Sequence, residues 1–163
     1  MEASNSGSEF FQFAFVNLNK PYDVAHAAQL AIASGMIESH FIGDCTDYSH
    51  PKVRNKVTSW NISNQDLASL KYSTHETLSD FKSTRRGRII GTSPKEGNNS
   101  FLFDWDIFSD IITIGGADGI SKENYKNFDE LVTIPSKVEV PFLTIPTVMP
   151  ILYAILMSRL LKR

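Results

Sequence analysis

The stretch DIITIGGADGIS, Asp110 to Ser121, decides how the chain is read. It opens with an apolar, isoleucine-rich run, the kind of strand that is buried on both faces in a parallel sheet. Gly115, Gly116 and Gly119 then form a turn where the backbone can approach a ligand closely. Ser121 follows as a helix cap, with Glu123 in the first turn of a helix reaching Asn127. Strand, glycine-rich loop and helix together make the repeating unit of α/β proteins. No Gly-Lys-Ser/Thr follows the glycines, and G-x-G-x-x-G is absent, so neither a Walker loop nor a dinucleotide fingerprint is expected.

The same grammar runs outward in both directions. Towards the N-terminus, Arg88 to Thr92 is a second apolar strand running into Gly91-Thr92-Ser93-Pro94. Before it, Thr74 to Lys82 reads as a helix with a Leu78/Phe81 apolar pair, and Pro51 to Val57 as a shorter one. His40 to Gly43 and Gln12 to Leu18 read as strands. Tyr22 to Ser34 between them has Val24, Ala27, Ala28, Ala31 and Ile32 at helical spacing, and Gly35 stops it. Towards the C-terminus, Leu131 to Ile134 is a last strand, leading into Pro135 and Ser136. The pattern predicts an α/β fold, an open parallel sheet with helices on both faces. Ligands of such sheets bind outside the carboxyl ends of the strands.

Pro141 to Leu161 carries a single charge, Arg159, over a length that spans a bilayer. Pro141, Pro146 and Pro150 break its first half, leaving Ile151 to Leu161 as uninterrupted helix. A buried or subunit-interface helix is therefore expected, with no membrane anchor. Met1 to Glu9 is polar, without the basic and apolar regions of a signal peptide, and reads as a flexible leader to one domain over 10–163. Sixteen Lys and Arg against eighteen Asp and Glu give a net charge of −2, which excludes a strongly basic coat but not local patches. The single Cys45 excludes a disulfide framework and fits a reducing, cytoplasmic setting.

Candidate chemistry is sparse. His26, His40, His50 and His75 lack metal-ligand spacing and are expected on the surface or in loops, so no metal is predicted. No G-x-S-x-G elbow supports a serine nucleophile. The strand-end loops are short and rich in small residues, which suits a site built from backbone groups. Basic residues cluster at Lys82, Arg85, Arg86 and Arg88, and at Lys52, Arg54 and Lys56 close to Trp60. Two readings stay open for these clusters: phosphate contacts to nucleic acid, or solvated helix ends that complement the dipole.

In order and spacing these segments resemble the SPOUT superfamily of RNA methyltransferases, most closely its SpoU/TrmH-type ribose 2′-O-methyltransferases. That family opens with a strand and Pro-x-Asn-x-Gly, then an Arg four residues on and a Gly six further. Pro21-Tyr22-Asp23-Val24-Ala25, Gln29 and Gly35 keep this register. His50 to Arg54 resembles a His-Pro-Lys-Val-Arg stretch common in the family. Ile89 to Pro94 is similar to its first cofactor loop, and Ile112 to Ser121 to its Gly-x-Glu-x-x-Gly-Leu-Ser motif. Ile134-Pro135 matches its Ile-Pro, and Phe142 to Pro146 falls where it has Ser-Leu-Asn-Val-Ser.

The resemblance implies a C-terminal deep trefoil knot over about 88–163, an exception to the rule against threaded chains. It implies S-adenosylmethionine held by Gly91, Thr92, Ser93, Gly115, Gly116, Ile134 and Leu143. It also implies a homodimer packed through the last helix and an RNA substrate, tRNA or rRNA, gripped by Arg54, Lys82, Arg85, Arg86 and Arg88. The polar set departs from the family. Gln29 replaces the motif Arg and brings no positive charge. Asp23 stands for Asn, Gly116 or Ala117 for Glu, and Thr144 for Asn. The resemblance leaves Gln29, Asp23 and Thr144 as the catalytic candidates. It equally admits a catalytically degenerate relative that binds RNA or protein.

Overall fold

The computed structural model describes residues 9–137 and 143–162. The leader up to Ser8, Pro141 and Phe142 of the apolar tail, and part of the span assigned to the knot lie outside the described residues. Seven strands form one sheet: β1 (Phe11–Val16), β2 (Ile37–Ile42), β3 (Lys71–His75), β4 (Ile89–Thr92), β5 (Asn98–Asn99), β6 (Ile111–Gly115) and β7 (Glu130–Thr133). Their order is β3-β2-β1-β6-β4-β7-β5, and every pairing is parallel. The helices are α1 (Pro21–Ser34), α2 (Pro51–Ser59), α3 (Asn64–Ala68), α4 (Leu78–Ser83) and α5 (Ile145–Leu161), with a 3-10 helix over Lys122–Asn127.

Strand alternation sends side chains to two cores. Phe11, Phe13, Phe15, Ile112 and Ile114 pack with α1, α2, α3 and α5 on one face. Ala14, Val16, Ile89 and Ile111 pack with Leu78 and Phe81 of α4 and with Phe128 on the other. Helix α1 shows how directly the sequence fixes an element. Pro21 sits in the first turn, where no N–H is needed. Ala25, Ala27, Ala28 and Ala31 make a thin buried face, and Gly35 closes the helix at φ 65, its N–H donating to the Ala31 carbonyl.

Four expectations are corrected. Thr74 lies in β3 rather than opening a helix. Thr77 is the cap, its Oγ1 accepting from the Asp80 N–H at 3.0 Å. Ser121 precedes a 3-10 helix and makes no side-chain capping bond. The last helix starts at Ile145 and runs through Pro150. A mid-helix proline costs ~3 kcal/mol, whereas fully burying one aliphatic side chain gains ~1.5–3 kcal/mol. Val148, Met149, Leu152, Ile155 and Leu156 are all buried, so packing overrides the break. Finally, His40 is a core residue with 0% exposure. Its Nδ1 lies 2.7 Å from Ser73 Oγ and its Nε2 2.9 Å from Gln12 Oε1.

Candidate functional site: a neutral cleft and two basic surfaces

The carboxyl ends of β4, β6 and β7 converge beside the start of α5. Ser93 follows β4, its N–H donating to the Val132 carbonyl at 3.0 Å and its Oγ accepting from the N–H groups of Lys95 and Glu96. Thr92 Oγ1 donates to the Thr113 carbonyl at 2.9 Å, tying β4 to β6. After β6 the chain turns back on itself. Gly119 adopts φ 73 and donates its N–H to the Gly116 carbonyl at 2.9 Å. A Cβ on Gly115 would stand 2.4 Å from the Gly119 carbonyl carbon, so only glycine lets the returning loop lie there.

These loops, with Leu143, Val148 and Leu152, line a cleft that is partly open to solvent. Its hydroxyls come from Thr92, Ser93, Thr133 and Ser136, its apolar wall from Val132, Ile134 and the α5 residues. Among the described residues, no ionisable side chain lines it. The described lining can therefore take an amphipathic ligand through backbone groups, hydroxyls and van der Waals contact.

Of the residues the resemblance assigns to the cofactor, Thr92, Ser93, Gly115, Ile134 and Leu143 line the cleft. Gly91 and Gly116 do not. A Cβ on Gly91 would meet the Phe128 ring at 2.2 Å, and one on Gly116 the Asn17 carbonyl at 2.3 Å. Both glycines let neighbouring elements pack. Gly119, Ile120, Val132 and Ser136 line the cleft unannounced. Gly119 carried a signal within the glycine-rich loop; Val132 reads only as a strand residue.

The catalytic candidates do not share this cavity. Asp23 is half-buried in the first turn of α1, and desolvation raises its pKa against the opposing charges of Lys20 and His26. Gln29 is exposed and lines a groove between α1 and α5 with His26, Leu30, Met149 and Pro150. Thr144 caps α5 through its backbone, its carbonyl accepting from the Thr147 and Val148 N–H groups, while its Oγ1 lies 3.3 Å from Thr147 Oγ1. The start of α5 thus separates the cleft from the Gln29 groove.

The two basic clusters lie on opposite faces of the sheet. Lys82 and Arg86 stand at and just beyond the end of α4, and the Arg85 guanidinium lies 4.8 Å from the Phe81 ring centre. Arg88 is committed to the fold: its side chain pairs with buried Asp110 and donates to the Asp104 carbonyl. On the other face, Arg54 is exposed on α2 and lines a recess with Tyr48, Asn64 and Tyr72. Among the described residues, no three or more His, Cys, Asp or Glu are placed to hold a metal ion. No helix there is long and apolar enough to cross a membrane.

No family model and no curated protein matches the sequence. Solved structures do match the fold. One, concerned with the 2-OH methylation of C/U34 on tRNA, is 17% identical, with a TM-score of 0.79 over 95% of this chain and 99% of that one. The SpoU methyltransferase AviRb from Streptomyces viridochromogenes, in complex with AdoMet, is 20% identical, with a TM-score of 0.73. The match covers 95% of this chain and 60% of AviRb. An AdoMet-bound rRNA methyltransferase from Sinorhizobium meliloti is 14% identical, with a TM-score of 0.77 over 95% of this chain and 58% of that one. The chain thus spans nearly all of the first and about three fifths of the other two. Its parallel sheet, with a cleft at the carboxyl ends of β4, β6 and β7, has the fold of the SpoU/TrmH-type members of the SPOUT superfamily.

Proposed function

We propose that the protein is an S-adenosylmethionine-dependent RNA methyltransferase acting on a ribose 2′-hydroxyl of tRNA or rRNA. The observation that carries this reading is the neutral cleft at the ends of β4, β6 and β7. Its residues suit the cofactor. Gly115 lets the loop fold back against Gly119 at the edge of the cleft. Ile134, Leu143 and Leu152 offer an apolar wall to an adenine ring, and Thr92, Ser93, Thr133 and Ser136 offer hydroxyls to polar groups. When bound, the cofactor supplies an electrophilic methyl on a sulfonium.

The chain's own part is positioning and proton handling. Holding both reactants in line removes much of the entropic barrier. Asp23, whose desolvated carboxylate has raised basicity, is assigned as the acceptor of the hydroxyl proton. Gln29 orients the ribose by hydrogen bonding, and Thr144 holds the N-terminal end of α5 beside the cleft. The segment over about 88–163 forms the family's knot. The dimer packs through the end of α5, where Leu161 and Leu102 are 77% and 80% exposed. There Arg159 donates to the Phe101 and Phe103 carbonyls and fixes that corner to the helix.

A second reading is favoured by one specific fact: uncharged Gln29 stands where the resembled family has arginine. On that reading the fold persists as an RNA-binding module. Labelled methyl transfer from S-adenosylmethionine to total tRNA and rRNA, alongside calorimetry of cofactor binding, separates the two. Transfer supports the enzyme. Micromolar cofactor binding without transfer to any RNA leaves the module, and absence of cofactor binding by folded protein removes the reading of the cleft.

A further inference from the structure

A second set of groups faces solvent at the junction of α1 and α2. Tyr22, His26 and Trp60 form a continuous aromatic row. The Tyr22 and His26 ring centres are 4.6 Å apart at 64°, and those of His26 and Trp60 5.1 Å apart at 45°. Lys56 Nζ reaches both ends, 5.2 Å from the Tyr22 ring centre and 5.8 Å from that of Trp60. Tyr22 is 55% exposed, so more than half of its surface is open despite these contacts. A large ring held in place but left in water adds little to the core. It is, however, a ready stacking surface.

Its surroundings select the occupant. Lys52 and Lys56 share one flank of α2, and neither has an ion-pair partner among the described residues. Lys20 lies at the other flank, just before α1. Unpaired cations beside an exposed aromatic row are what a single strand of nucleic acid requires: phosphates meet the cations, and bases stack on the rings. A duplex offers only its backbone, because its bases are already stacked. His26 also borders the α1–α5 groove that holds Gln29, so a strand on the row leads directly to that groove.

We infer that Tyr22, His26 and Trp60, with Lys56, form a stacking platform for an unpaired base of the substrate RNA, flanking the modified nucleotide. This rests on the reading of the protein as an RNA-modifying enzyme and names where its substrate is held. It assigns Tyr22 the stacking contact, and Lys52 and Lys56 the adjacent phosphates.

The test is binding of a short unstructured oligoribonucleotide to the full-length protein without cofactor, followed by Trp60 fluorescence. Single-stranded RNA quenches the emission, Trp60→Phe loses the quench, and a duplex of equal length leaves the emission unchanged. Tyr22→Ala weakens affinity about 5- to 100-fold, as expected for one stacked base. Lys56→Gln lowers the slope of log affinity against log salt by about 0.7. Equal binding of duplex and single strand, or unchanged affinity in folded Tyr22→Ala, overturns the platform, as does absence of RNA binding. Methyl transfer is read separately. Quenching without transfer keeps the platform and removes the enzyme, and transfer without quenching does the reverse.

Discussion

Arg88 and Asp110 form a two-point ion pair, Nε to Oδ1 at 2.9 Å and Nη2 to Oδ2 at 2.7 Å. The pair joins the residues just before β4 and β6, so it sets the start of the two strands whose far ends build the cleft. Asp110 is 2% exposed and also accepts the Asp106 N–H at 2.9 Å. Arg88→Ala strands that carboxylate with one remaining donor. Removing one partner of a buried pair costs ~3–5 kcal/mol, and partial exposure of Arg88 lowers the expected loss to about 2–4 kcal/mol. Urea denaturation at pH 7 measures it. A change below about 0.5 kcal/mol would show the pair to be ornamental.

His40 makes stability depend on pH. Burial first, then the charges of Arg85 and His75, hold its pKa down to about 3. Glu38 Oε2, at 4.0 Å from Nε2, opposes them too weakly to reverse the shift. His75 is shifted the same way, again mainly by burial. The neutral rings complete a relay: His75 Nε2–H donates to Ser73 Oγ, Ser73 O–H to His40 Nδ1, and His40 Nε2–H to Gln12 Oε1. Because the folded pKa lies below the unfolded one, the stabilisation is complete above about pH 6.5 and is lost as pH falls towards 3. Urea midpoints between pH 7 and 4.5 should fall, with a slope of up to ~1.4 kcal/mol per pH unit for each proton taken up. His40→Asn should flatten the slope; an equally steep profile in that variant would count against His40 as the source.

Gly91 is kept small by the Phe128 ring. Gly91→Ala should cost ~1–3 kcal/mol through overpacking. Phe128→Leu should relieve part of that cost, giving a coupling above ~0.5 kcal/mol in a double-mutant cycle. Additive effects would place the clash elsewhere.

Gln29→Arg places a positive charge where the SpoU/TrmH-type proteins that the chain resembles have arginine. Gln29 is exposed, so the change should be neutral for stability. On the enzyme reading it raises single-turnover methyl transfer, by roughly 10-fold or more if the charge stabilises the developing alkoxide. No increase in an active protein would mean that its mechanism has moved away from that position.

Much of this molecule is legible in its sequence, and the exceptions share physical causes. Pro21 and Gly35 bracket α1 because fixed φ and positive φ are properties of those residues alone. Apolar runs mark β1, β4 and β6 because these strands are buried on both faces. The edge strands escape that signal. Lys71-Tyr72-Ser73-Thr74-His75 and Asn98-Asn99 are polar because each leaves one side to solvent. Helix α5 crosses Pro150 because its burial is tertiary and invisible locally. Within the site, Gly115 and Gly116 are adjacent and look alike. Which of them borders the cleft depends on what approaches from outside the segment, Gly119 in one case and Asn17 in the other.

The strand order also dictates a timetable for the growing chain. Strands β1, β2 and β3 are neighbours in sequence and in space, so residues up to His75 can pair as they emerge. Strand β4 cannot. Its partners β6 and β7 lie downstream, and β6 must enter between β1 and β4 before either side of the sheet is continuous. Non-local pairing of this kind is slow, because loop closure precedes its reward. The cleft is walled by the last elements to arrive, β7 and α5. The ability to hold a ligand thus follows completion of the sheet, and its appearance reports that β6 and β7 have taken their places in it.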